Sequence, residues 1–139
     1  MARLARSTRI ALGADEGLHS IADILRHHEG GAIRGGSLKA IKLGGITRVL
    51  EAARCCEALG LKVNLACKVA ESSIATAAIL HLAAAAPSID WGVSLSSQYL
   101  AADVTREPLV VSGGHAVVPT QPGLGVRVDE SLVRRYALL

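Results

Sequence analysis

The sequence contains no phenylalanine, and its aromatic residues are one Trp and two Tyr, 2% of the chain. Its core must therefore be filled by Ala, Leu, Ile and Val, which suits helices packed closely on a sheet. The same shortage leaves nothing to stack nucleobases. Charge of one sign is also scarce. The net charge is +3, and the basic residues are scattered singly, which excludes the basic patch of a nucleic-acid binder. Arg3, Arg6 and Arg9 crowd the start and read as a solvated leading segment. Cysteines number three, Cys55, Cys56 and Cys67. The adjacent pair cannot make a metal-type CxxC, and an odd number without a secretory leader predicts reduced thiols in a cytoplasmic protein. Long apolar runs are missing too. MARLARSTRIALGADEG has none, so it does not read as a signal peptide. The richest stretch, residues 74–86, is interrupted by His81 and is too short to span a bilayer. What is abundant is hydrophobic residue in general, 50% against 19% charged, enough for a real core and too apolar for disorder.

Short apolar runs alternate with helical stretches along the chain, which predicts βα units and a parallel sheet. Strands are expected at residues 10–14, 37–41, 62–66 and, more weakly, 90–95. Helices are expected at 19–28, ended by Gly30 and Gly31, at 46–59, opened by Gly44-Gly45 and closed by Gly60, and from Ser72 or Ser73 as cap to about residue 86, stopped by Pro87. Beyond residue 104 the pattern changes. Residues 109–111 and 116–118 flank Gly113-Gly114 and read as a β-hairpin. The loop Pro122-Gly123-Leu124-Gly125 and a short amphipathic end at 130–138 follow. Four strands are about half of what a closed (βα)₈ barrel of about 250 residues needs.

In a parallel βα barrel, functional side chains sit at the C-terminal ends of strands. Asp15 and Glu16 end the first strand, Lys39 and Lys42 lie at or just past the second, and Glu71 follows the third. A carboxylate there can bind a hard cation such as Mg²⁺. The cation would neutralise charge developing on a substrate carboxylate, and a lysine beside it, its pKa lowered, could take a proton. From the residues alone, blander readings stand beside this one. Asp-Glu after a strand is also a helix N-terminal charge pair, the lysines are also ordinary solvated ends, and Glu71 is also a first-turn helix charge. Of the five histidines, none is paired at ligand spacing on one helix face. His81, on an apolar helix, reads as a core or interface residue, and the cysteines read as small core residues.

Four segments carry a family resemblance. ALGADEGLHS is similar to the fifth-strand segment of the muconate-lactonizing subgroup of the enolase superfamily. SLKAIKLGGITR resembles its sixth-strand segment, NLACKVAESSIATAAILHLAAA its seventh strand and helix, and PGLGVRVDESL its closing segment. Order and approximate spacing agree, and the resemblance covers essentially the whole chain. It implies an α/β fold, the C-terminal half of a (βα)₈ TIM-type barrel (strands five to eight), with βα units over about 1–104 and a hairpin and closing tail over about 105–139. It places the N-terminal capping domain and the first four strands outside this chain.

By position, the resemblance makes Asp15 a ligand of Mg²⁺, Glu16 its neighbour behind the ligand, Lys39 the catalytic acid/base and Lys42 a structural second lysine. Glu71 takes an acidic position at the barrel mouth, and Lys68 stands where it could contact substrate. The implied reaction is that of a racemase or epimerase, cycloisomerase or dehydratase, which abstracts the proton α to a carboxylate of a small substrate and stabilises the enolate with Mg²⁺. One carboxylate alone will not hold that ion well, because it takes several oxygen ligands. The chain by itself is therefore expected to be an inactive part of such an enzyme. The alternative is a non-catalytic remnant that folds as a half-barrel and self-associates through its exposed sheet edge to form a homo-oligomer. Neither nucleic acid nor membrane is an expected partner.

Overall fold

The computed structural model describes residues 1–86 and 89–137. Its centre is a sheet of four parallel strands in sequential order: β1 (Gly13–Ala14), β2 (Gly35–Leu38), β3 (Lys62–Ala66) and β4 (Val93–Ser94). Helices cross between them: α2 (Ile21–Glu29) after β1, α3 (Ala40–Leu43) and α4 (Ile46–Ala58) after β2, and α5 (Ser73–Ala85) after β3. Sequential parallel strands joined by helices are the repeating unit of a βα barrel. A short α1 (Ala2–Arg6) stands where the sequence suggested only a solvated segment. Its arginines are exposed all the same.

The hydrophobic pattern follows this layering. Ala14, Leu38, Val63 and Leu65 point to the helical side of the sheet, where they meet Leu18, Ile24, Val49, Ala52, Cys56, Ile79 and Leu82. Leu38, Val63 and Leu65 are fully buried. This core holds no Phe, and close helix–sheet contact is made through Ala and Gly instead of bulk. Strand residues alternate in direction, so Gly13, Gly35, Ser37, Lys62 and Asn64 line the opposite face, the inside of a barrel. There the Trp91 ring lies over Gly13 and Gly35. A Cβ on Gly35 would meet the ring at 2.8 Å and collide with the Lys62 carbonyl oxygen. Gly35→Ala is therefore expected to destabilise the protein by about 1–3 kcal/mol, the usual cost of overpacking. An unchanged urea midpoint would show that the shelf under Trp91 can give way.

Capping decides where the helices begin. The Ser20 hydroxyl accepts from the Asp23 amide (3.2 Å) and donates to the Asp23 carboxylate (2.8 Å), a reciprocal cap on α2. Ser72 stands at the cap position of α5 but makes no side-chain cap bond. The cap comes instead from far along the chain: the carboxylate of Asp103 accepts the Ser73 amide (2.8 Å) and hydroxyl (2.7 Å). Its other oxygen accepts from the Thr105 amide and hydroxyl, both at 3.2 Å. α5 is apolar nearly all round and is buried on more than one side. Its end at Ala85 agrees with the sequence, although Pro87, read there as the stop, lies outside the described residues.

The tail is less regular than the sequence suggested. In place of a two-stranded hairpin there is one antiparallel bridge, Ser112 with His115, around the Gly113-Gly114 turn. Val110 and Val117 on its two arms are exposed, so no buried face rewards a longer ladder. A second bridge, Thr105 with Val128, and an ion pair between Arg127 and Glu107 (2.7 Å) close the tail on itself. His81 on α5 bonds the carbonyl of Leu124 at 3.2 Å, which makes it the interface histidine that fastens the tail. The amphipathic end forms α6 (Glu130–Tyr136), capped by Asp129, while Leu138 lies outside the described residues.

Candidate active site

The register of the sheet brings the first two groups of site residues together. Gly13 pairs with Gly35 and Ala14 with Gly36, so Asp15, next along, leaves β1 beside Ser37 on the inner face. Lys39 leaves β2 two residues beyond Ser37 on the same face. It has extended backbone and serves as the cap residue of α3, which continues the strand for one turn. The result is a cluster at the C-terminal mouth. Lys39 Nζ lies 2.7 Å from Asp15 Oδ1 and 2.5 Å from Glu16 Oε1. Lys42 Nζ donates to the Asp15 carbonyl oxygen at 2.9 Å and to Glu16 Oε2 at 3.2 Å. Lys39 is 8% exposed, whereas both carboxylates face solvent.

The electrostatics follow from this geometry. Hydrogen bonds from Lys39 and then Lys42, with the charges of both, hold the Glu16 carboxyl down at about 2. A carboxyl depressed from an ordinary value near 4.5 contributes stability that is present above that value and is lost as pH falls through about 2. The Glu16 carboxyl carbon should thus titrate near pH 2 by NMR, and near its ordinary value once Lys39 and Lys42 are both replaced by Met. A midpoint that stays near 2 in that double variant would show that the lysines are not the cause. Burial works against the charge on Lys39, but the hydrogen bonds it donates to Asp15 and Glu16, with the charges of both, outweigh it and hold its pKa above the usual lysine value. The lowered pKa expected of this lysine depends on a bound metal; among the described residues the groups that touch its ammonium are the two carboxylates.

Lys68 and Glu71 belong to a separate arrangement on the loop between β3 and α5. The Glu71 carboxylate accepts the Lys68 amide at 3.0 Å, the Ser96 hydroxyl donates to the Lys68 carbonyl at 2.5 Å, and Ser96 Oγ accepts the Glu71 amide at 3.2 Å. Within this loop Ala70 takes a left-handed backbone, φ 58°, a strained conformation that surrounding contacts must enforce. The Lys68 side chain is exposed. Among the described residues, no hydrogen bond or ion pair links this loop to the Asp15–Lys39 cluster. Ser96 and Asp103 went unremarked in the sequence. For Asp103 the one available signal is the Asp-Val-Thr spacing, which favours an Asx-type turn.

The cysteines carry no chemistry here. All three are free thiols, and burial pushes Cys56 and Cys67 up to about 11, with the Glu71 charge adding to the effect at Cys67. Thiols so far from ionisation are poor nucleophiles. Among the described residues, no group of three or more His, Cys, Asp or Glu side chains could hold a metal ion. No helix there is long and apolar enough to cross a membrane.

Known proteins share this arrangement of elements. Residues 1–132 match the family described as Enolase C-terminal domain-like. A chloromuconate cycloisomerase from Cupriavidus pinatubonensis is 36% identical over 141 residues, covering 99% of this chain and 37% of that protein. Muconate cycloisomerase 1 of Rhodococcus opacus is 31% identical, covering 98% and 36%. Among solved structures, the 2-chloromuconate cycloisomerase of Rhodococcus opacus 1CP superposes with a TM-score of 0.91 at 33% identity, over 99% of this chain and 37% of that one. The muconate lactonizing enzyme of Pseudomonas putida gives 0.91 at 30%, over 99% and 38%. The chain thus spans well under half the length of these relatives. Their likeness extends over essentially the whole chain, and the chain belongs to the enolase superfamily, of the mandelate-racemase and muconate-lactonizing type, as the C-terminal half of its TIM-type barrel.

Proposed function

We propose that this chain supplies half of the active site of an enzyme that moves the proton α to a carboxylate of a small substrate. A cycloisomerase is the first choice within that class, because cycloisomerases recur among the relatives. Racemases, epimerases and dehydratases of the same superfamily use the same proton step. The observation that carries the proposal is the contact of Lys39 Nζ with Asp15 Oδ1, 2.7 Å, at the strand ends where βα barrels perform chemistry.

Lys39 is the acid/base. It lies on the inner face, screened from water, and its Nζ can deliver a proton to an enolate carbon as ammonium or remove one as amine. Asp15 is a fitting ligand for Mg²⁺, a hard oxygen donor aimed into the mouth and half exposed. It is one ligand of a set, and the described residues do not complete the site. When bound, Mg²⁺ supplies positive charge beside the substrate carboxylate. Glu16 keeps the Lys39 ammonium in line from the solvent side. Lys68 and Glu71 shape the rim of the mouth through their loop. The three free thiols favour a cytoplasmic setting.

The test is carried out on the intact protein that contains this chain. Mg²⁺-dependent exchange of a substrate α-proton with deuterium, followed by NMR over a panel of small mono- and dicarboxylates, is the expected positive result. No exchange with any of them, at saturating Mg²⁺, would sink the proposal.

A further inference from the structure

We infer that Lys42 is a positioning residue, a strut that fixes the Asp15–Glu16 turn so that the Asp15 carboxylate stays aimed at Lys39 and the barrel mouth. The inference rests on the function proposed above for Asp15 and Lys39, and it adds a residue to which that proposal gives no part.

Lys39 is the cap residue of a single helical turn, α3, and Lys42 lies within that turn. From the cap and from the turn, both ammonium groups reach the same two acidic residues. The turn is closed at once by Gly44, in a left-handed conformation at φ 93°, and Gly45 follows at φ 117°. Neither backbone is readily open to a residue with a side chain. The helix therefore cannot lengthen, and Lys42 stays at the level of the Asp15 peptide. The two lysines then divide the work. Lys39 bonds the carboxylates. Lys42 bonds the Asp15 main chain and the far oxygen of Glu16.

The Asp15 carbonyl also accepts the Leu18 amide at 3.1 Å. One oxygen thus joins three things: the turn that follows β1, the buried anchor Leu18, 2% exposed, and the Lys42 side chain. Without Lys42 the Asp15–Glu16 peptide is held from one side only, and its φ and ψ set where the Asp15 carboxylate lies. The Lys42 side chain is itself 10% exposed, so it is an inward strut and not a solvated end.

The test compares wild type, Lys42→Met and Lys42→Arg in the intact protein, with Mn²⁺ as a paramagnetic stand-in for Mg²⁺. Two quantities are read: Mn²⁺ affinity by electron paramagnetic resonance, and deuterium uptake at the amides of residues 15–18 by mass spectrometry. Lys42→Met should weaken Mn²⁺ about 10-fold, the common effect of removing a group that orients a metal ligand, and should speed uptake in 15–18 about threefold or more with the remaining peptides unchanged. Lys42→Arg, which keeps a long cationic donor, should restore both. Unchanged uptake in 15–18 overturns the strut. Faster uptake with unchanged Mn²⁺ affinity overturns the positioning role, and faster uptake throughout the protein reduces Lys42 to a stability residue and overturns it as well. A wild-type protein that binds no Mn²⁺ overturns the proposed function first, and that outcome is seen before any variant is compared.

Discussion

Replacing Lys39 by Met should lower the rate of substrate α-proton exchange by about 10²–10⁴-fold, the range that one general acid or base supplies. Met keeps much of the length and apolar bulk of the side chain, so the inner face should stay filled and the fold should hold. What disappears is the only ammonium that contacts both Asp15 and Glu16 through their carboxylates among the described residues. KM should change little by comparison, because a proton-transfer group acts in the transition state more than in binding. Two further measurements separate this from a loss of structure. The thermal midpoint of Lys39→Met should lie within a few degrees of wild type. Its Mn²⁺ affinity should rise, because the cation nearest to Asp15 has been removed. Exchange at the wild-type rate would remove Lys39 from the chemistry altogether.

That Asp15 and Lys39 would meet was legible in the sequence, because two features of βα architecture are strict. Side chains alternate along a strand, and function gathers at the C-terminal ends. Placing Asp15 and Lys39 just past consecutive strands was enough to bring them to one mouth, and the shift of the second strand from the expected 37–41 to Gly35–Leu38 left Lys39 at its end. Lys42 was harder to place. Whether it points inward depends on one helical turn ending at Gly44, and the Gly pair alone suggested only the opening of the next helix. The charge state of Lys39 was not legible from spacing alone, because its pKa depends on which charges lie nearest, and the two carboxylates in contact with it hold that pKa up. The tail was least legible. Alternating Val residues around Gly113-Gly114 have the period of a hairpin, but their side chains remain in solvent and only one bridge forms. Asp103 left almost no trace in the sequence, since two of its four hydrogen bonds come from Ser73, 30 residues away.

That distant partnership makes Asp103 the residue whose loss should cost the fold most among the polar ones. Asp103→Ala is expected to destabilise the protein by about 3 kcal/mol. The Asp103 carboxylate accepts four hydrogen bonds from Ser73 and Thr105, and those residues are 0% and 3% exposed. Truncation leaves their amides and hydroxyls buried without an acceptor, and each such group costs about 1–3 kcal/mol unless it finds another partner or water. The Ser73 hydroxyl also accepts the Leu109 amide at 2.8 Å. One carboxylate thereby caps α5, orders the chain after β4 and fixes the start of the tail. The first turn of α5 adjoins the loop that carries Lys68 and Glu71, so damage here should reach the rim of the mouth. For an intact protein of the relatives' length, more than twice this chain's, 3 kcal/mol corresponds to about 4 °C in thermal midpoint, measurable by calorimetry. Asp103→Asn, which keeps one acceptor oxygen, should lose about half as much. A midpoint for Asp103→Ala within about 2 °C of wild type would mean that water replaces the carboxylate and that α5 is held by apolar burial alone.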